Sequence, residues 1–208
     1  MNEIELSAWL DDYRENAEKI HSVANQIKKI NGRLGIGGVT IEQVEILNNN
    51  IITILNNWVD SAYVGKRKEK VLKRAYQAFF EALYEWLFCL KRIPDENIQR
   101  FVDEALFQGT LYRYLGYGDC KDNIEEQIEP KYDKYYVSWS KKEKNSYFES
   151  KLYGTITHIT CELKNMHYGI DLNAFGVGRE NEQEVLFPTI KDTITNIEYI
   201  ERDCSEAE

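Results

Sequence analysis

One change of texture along the chain limits what it can fold into. Apolar residues recur at helical spacing as far as Gln108 and alternate with polar ones beyond it. Ile4, Trp9, Leu10, Tyr13, Ala17, Ile20, Val23, Ala24, Ile27 and Ile30 mark one stripe on a long helix. Asn31 to Gly38, with four glycines, is expected to break it. Thr40-Ile41-Glu42-Gln43 reads as a capping box, in which the Thr hydroxyl accepts from the new helix and Gln43 reaches back. A second stripe follows at Val44, Leu47, Ile51, Ile54, Leu55 and Trp58. A third runs through Val71, Leu72, Ala75, Tyr76, Phe79, Leu83, Trp86 and Leu90. Pro94-Asp95 opens a shorter fourth helix carrying Ile98, Phe101, Val102 and Leu106.

Past Gln108 the segments are short and rich in β-branched and aromatic residues. Strands are expected over Thr110–Leu115, Tyr135–Trp139, Thr155–Leu163, Glu184–Phe187 and Thr193–Ile200, with Gly116, Gly118, Gly154, Gly169, Gly176 and Gly178 as turn residues. Strands without long helices between them imply an α+β chain, with an N-terminal helical layer followed by a mixed, mainly antiparallel sheet. The expected division is a helical region over 1–106, a β-rich region over 107–202 and a frayed tail over 203–208, the first two forming one compact unit.

Composition narrows the function. The net charge is −9, whereas nonspecific nucleic-acid binding and docking on anionic membranes both need Lys and Arg. No apolar run approaches the ~20 residues that span a bilayer, and the N-terminus has no basic stretch followed by an apolar core. A cytoplasmic protein is expected. Cys89, Cys120, Cys161 and Cys204 are widely spaced and form no metal spacing with His21, His158 or His167, so free thiols and no metal are expected. The glycines at 32, 35, 37 and 38 follow a helix and precede no Gly-Lys-Ser/Thr, which fits a connection better than a phosphate cradle. The basic run Lys66 to Lys70 fits a solvated helix start, and His158 a packed strand histidine.

Three features of the second half are consistent with chemistry. Arg113 stands between Tyr112 and Tyr114 and, by alternation, on the face opposite both. In Ser138-Trp139-Ser140 the serines share one face and the tryptophan takes the other. Glu182-Gln183-Glu184-Val185-Leu186-Phe187-Pro188 brings two carboxylates, expected on one face, into an apolar strand. Like charges side by side are unfavourable unless something uses them. Phe175 to Asn181, a glycine-bearing loop, precedes them and is suited to recognition.

In this order, arginine, then Ser-x-Ser, then Glu-x-Glu-Val-Leu-Phe-Pro, the features resemble the arginine–serine–glutamate class of mono-ADP-ribosyltransferases. That class includes bacterial toxins and phage-encoded modifying enzymes. The resemblance covers roughly Leu106 to Ile200. Trp139 stands where the class commonly has threonine, and Tyr114 where it frequently has glycine. The resemblance implies the ADP-ribosyltransferase type of β core and NAD as co-substrate, without a metal. It implies that Glu184 stabilises the positive charge developing on the ribose as nicotinamide leaves. Ser138, with Ser140 as helper, would hold Glu184 and the ribose in register. Arg113, with Tyr112 beside it, would bind the pyrophosphate. Glu182 would orient the acceptor, and Phe175 would meet the target. Two glutamates go with a protein arginine as acceptor in relatives. A nucleic-acid acceptor is the alternative with the same site, and a noncatalytic helical interaction protein the alternative without it. An active enzyme of this kind endangers its own cell, so a phage effector, a delivered toxin or a toxin with a neutralising antitoxin is expected.

Overall fold

The computed structural model describes residues 3–34, 39–61, 70–115, 136–144, 154–178 and 183–202. The chain divides into two compact units, Met1–Val102 and Asp103–Glu208. The class is α+β: among the described residues, four α-helices are followed by an antiparallel sheet.

In the first unit, α1 (Glu3–Leu34) packs along α3 (Lys70–Leu90) and also touches α2 (Ile41–Ser61). The expected stripe of α1 is buried from Tyr13 to Ile27, while the burial of Ile4, Trp9 and Leu10 lies outside the described residues. The helix does not break at Asn31 as expected. It runs through Gly32 to Leu34, because a single helical glycine costs only ~1 kcal/mol and the buried stripe beneath outweighs that. Gly35, Gly37, Gly38 and Lys66 to Glu69 lie outside the described residues.

The capping box forms as expected. Thr40 N–H donates to Gln43 Oε1 at 3.2 Å, and Gln43 N–H to Thr40 Oγ1 at 3.3 Å. Thr40→Ala is therefore expected to cost about 1 kcal/mol in the stability of this unit, read as a lower urea midpoint at unchanged slope. On α2, Trp58 sets its ring edge-on to Tyr76 and Phe80 of α3, each at 4.9 Å between centroids. The α3 stripe runs through Leu72 rather than Val71, which is 48% exposed: spacings of three and four from Phe79 and Leu83 lead back to Leu72. Asp95 caps α4 (Glu96–Ala105), its Oδ1 accepting from Asn97 N–H at 2.9 Å and Ile98 N–H at 3.0 Å.

The second unit holds β1 (Leu106–Phe107), β2 (Gly109–Leu115), β3 (Tyr136–Ser140), β4 (Gly154–Leu163), β5 (Gly169–Asp171), β6 (Glu184–Pro188) and β7 (Ile194–Arg202). They form one sheet in the order β1-β5-β6-β3-β2-β4-β7. Every ladder among the described residues is antiparallel, so the sheet is not mixed as expected. Strands β1 and β5 have no counterpart in the sequence reading: two and three residues are too few to show a period. Leu106, expected to end the fourth helix, belongs to β1. Gly169 is required by close packing, since a Cβ there would lie 2.3 Å from Val185 Cγ1. Tyr135, Gly116, Gly118 and the tail 203–208 lie outside the described residues.

One face of the sheet carries an apolar cluster that includes Leu111, Leu115, Trp139, Ile159, Val185 and Phe187. Within it, Trp139 Nε1–H donates to the Phe187 carbonyl at 3.0 Å. Cys161 joins this cluster and donates from Sγ to Thr193 Oγ1 at 3.2 Å. Burial pushes its thiol up from 9.0 to about 11, against the opposing effect of its hydrogen bond to Thr193. The folded thiol therefore keeps its proton where the unfolded one loses it. Its contribution is fully present below pH 9 and is lost as pH rises through about 11, so a denaturation series across that window should show Cys161→Ala losing less stability than the parent.

Candidate functional site

The three motif-bearing strands, distant in sequence, lie side by side in the sheet as β6-β3-β2. Register then decides which side chains share a face. Ser140 stands opposite Glu184, Ser138 opposite Leu186, and Tyr112 opposite Ser140. Residues directly opposed in a ladder point the same way. Glu184, Ser138, Ser140 and Tyr112 therefore share one face, and Trp139 and Val185 take the apolar face behind them.

Glu184 is 4% exposed. Ser138 Oγ donates to its Oε1 across the β3–β6 ladder. The serine one pleat away thus reaches the carboxylate. Ser140 Oγ donates to the Lys142 carbonyl at 3.0 Å and accepts from Lys142 N–H at 3.0 Å, a local turn that closes the end of β3. A buried polar group is unfavourable unless it is hydrogen-bonded, and Ser138 is a donor to this carboxylate.

Arg113 is not brought to this face. It stands opposite Ile159 on β4, between Leu111 and Leu115 on the apolar side, with Nη1 buried. The alternation read from sequence is correct in setting Arg113 against its flanking tyrosines, and the tyrosines are on the side of Glu184. Which face belongs to the carboxylate depends on pairing with β3, and one strand alone carries no information about that.

Glu182 lies outside the described residues. Its expected sharing of a face with Glu184 does not follow from strand alternation, because β6 begins at Glu184 and Gln183 has φ 46°. A left-handed backbone at a non-glycine residue costs of order 1–3 kcal/mol and persists where the surroundings hold it. Here Lys141 N–H donates to the Gln183 carbonyl at 3.3 Å. The strain sits one residue before the buried carboxylate.

Phe175 is 6% exposed, in a 3-10 turn over Leu172–Phe175 that ends at Gly176 with φ 67°. Val177 is buried as well, so this stretch is anchored by packing, and Phe175 is not presented to a macromolecule as the sequence led us to expect. Residues 179–182 of the loop lie outside the described residues.

Sequence reasoning passed over two groupings. His158 is 5% exposed, and its ring stacks on Tyr114 at 4.4 Å and on Tyr112 at 5.8 Å, with Nδ1 3.7 Å from a Glu198 carboxylate oxygen. It is the packed strand histidine expected. Its tyrosine neighbours, both on the Glu184 face, extend that face with aromatic surface. The second is the ion pair between Lys141 Nζ and Asp171 Oδ2 at 2.6 Å, with side chains 23% and 8% exposed. The available signals were a lysine directly after the serine motif and the turn pattern Asp171-Leu172-Asn173. Neither identifies its partner, which comes from another strand. Among the described residues no group of His, Cys, Asp and Glu is placed to hold a metal, and no described helix is long and apolar enough to cross a membrane.

No family model, curated protein or solved structure matches the chain.

Proposed function

We propose that the sheet unit is a mono-ADP-ribosyltransferase of the arginine–serine–glutamate class, with Glu184 as the catalytic carboxylate. The observation that carries this is the buried Glu184 side chain accepting from Ser138 on the neighbouring strand, the pairing the resemblance requires of its serine and glutamate. The adjacency of β2, β3 and β6 supports it, as does the strained backbone at Gln183.

The donor set fits the ribose end of NAD. Glu184 offers one carboxylate, fixed by Ser138, to a ribose hydroxyl and to the positive charge that grows on C1′ as the bond to nicotinamide breaks. Nicotinamide leaves with the bonding electron pair, C1′ is taken by a nucleophile, and that nucleophile gives up its proton to water. A carboxylate preset in a buried site needs no reorganisation as that charge appears, which is why it acts on the transition state more than on bound NAD. The fit does not extend to the pyrophosphate contact assigned to Arg113, whose strand position directs it to the opposite face. In this proposal Arg113 belongs to the apolar side, and Tyr112 with Tyr114 lines the face NAD occupies.

The acceptor is a protein arginine in the first instance, on the ground of the Glu182/Glu184 pair, and a nucleic acid in the second. Incubation with labelled NAD and cell lysate tests both. Transfer to protease-sensitive material supports the first, transfer to nuclease-sensitive material the second, and free ADP-ribose alone means water is the acceptor. Label that persists in Glu184→Gln overturns the assignment.

A further inference from the structure

We infer that Lys141 and Asp171 form a clamp that sets the position of the Glu184 carboxylate, making Lys141 a positioning residue for the reaction. The catalytic consequence rests on the function proposed above, but the mechanical one does not.

The clamp lies where β6 starts. Strand β6 lies between β5, which ends at Asp171, and β3, which ends one residue before Lys141. The ion pair at 2.6 Å therefore joins the two flanking strands across the first residues of β6. It does so on the face opposite Glu184, since Asp171 stands opposite Val185. The carboxylate on one face of β6 thus has an ionic tie behind it on the other.

Each link in the clamp is itself fixed. Asp171 Oδ1 accepts from Asn173 N–H at 3.0 Å and from Asn173 Nδ2–H at 3.1 Å, so the acceptor side is anchored to the turn after β5. Lys141 Nζ also sits 5.4 Å from the Phe107 ring centroid, over the aromatic face. Through its backbone, Lys141 donates to the carbonyl of Gln183, the residue held at φ 46° directly before Glu184. One residue thus joins the ion pair to the strained peptide whose geometry aims the carboxylate. If Lys141 shifts, the bond holding Gln183 shifts with it, and a left-handed non-glycine residue relaxes toward extended backbone. That rotation carries the Glu184 side chain away from Ser138.

Lys141→Met alone leaves Asp171 charged and buried and is expected to impair folding. The discriminating variant is therefore the double one, Lys141→Met with Asp171→Asn, which removes both charges and keeps the oxygen that caps the turn. Lys141→Arg serves as the conservative rescue. Two measurements are made on the full chain. In amide hydrogen exchange, the residue-141 amide is expected to lose about tenfold or more protection in the double variant while the Leu111 and Ile159 amides keep theirs, and Lys141→Arg is expected to restore it. In nicotinamide release, kcat is expected to fall by about 10- to 100-fold with KM for NAD within about twofold, as a misplacement near 1 Å produces, and to recover in Lys141→Arg. Unchanged protection at residue 141, or unchanged kcat in a folded double variant, overturns the inference. If the parent chain releases no nicotinamide, the proposed function fails, and the exchange measurement still decides whether the clamp holds β6.

Discussion

Glu184→Gln is expected to lower the rate of nicotinamide release by about 100- to 1,000-fold while NAD affinity changes little. The substitution keeps the volume and leaves an amide that can still meet Ser138, so the fold around β6 should persist. What it removes is a negative charge useful only when C1′ becomes positive. Uniform loss of binding would raise KM, whereas loss of transition-state stabilisation lowers kcat. Ser138→Ala should have the same character and a smaller size, because it removes one donor to the carboxylate rather than the carboxylate. Isothermal titration with NAD separates the cases. If Glu184→Gln abolishes binding and Ser138→Ala does not lower turnover, the carboxylate does not act as proposed.

The largest stability effect is expected at Trp139. It is 2% exposed, belongs to the apolar cluster and donates to the Phe187 carbonyl on the next strand. Trp139→Ala deletes a large buried ring and removes that hydrogen bond. The expected cost is about 3–5 kcal/mol, most of the stability of an ordinary domain. Trp139→Phe should recover most of the packing and leave about 1–2 kcal/mol for the lost hydrogen bond and the gap. Chemical denaturation followed by far-UV circular dichroism, with activity measured in parallel, tells stability from chemistry. Trp139→Phe should keep its turnover when folded, because the ring faces away from Glu184. A folded Trp139→Phe variant without turnover would mean that the apolar face does more than support the strand.

The residue where this chain departs from the class's serine motif is thus accounted for by packing. A tryptophan between two serines directs its ring to the apolar face and keeps both hydroxyls on the other, and strand alternation requires nothing more. The same logic explains Phe175. An aromatic in a glycine-bearing loop reads as a contact for a partner, yet the turn that Asp171 opens and Gly176 closes folds the ring inward.

Local periodicity sufficed for the helices α1 to α4 and for the longer strands, because the spacing of apolar residues within one element reports which of its own faces is buried. It also sufficed for the Thr40 box and the Asp95 cap, whose partners lie within three residues. It could not choose between the two faces of neighbouring strands. That choice depends on register between segments 46 residues apart in the case of Ser138 and Glu184, and a slip of one residue inverts every side chain. Hence the serine and the glutamate, named from sequence, meet in the folded chain, while Arg113, named on the same grounds, is carried to the other side of the sheet. The left-handed turn at Gln183 and the Lys141–Asp171 pair arise only from tertiary structure, since each depends on strands that become neighbours through non-local pairing.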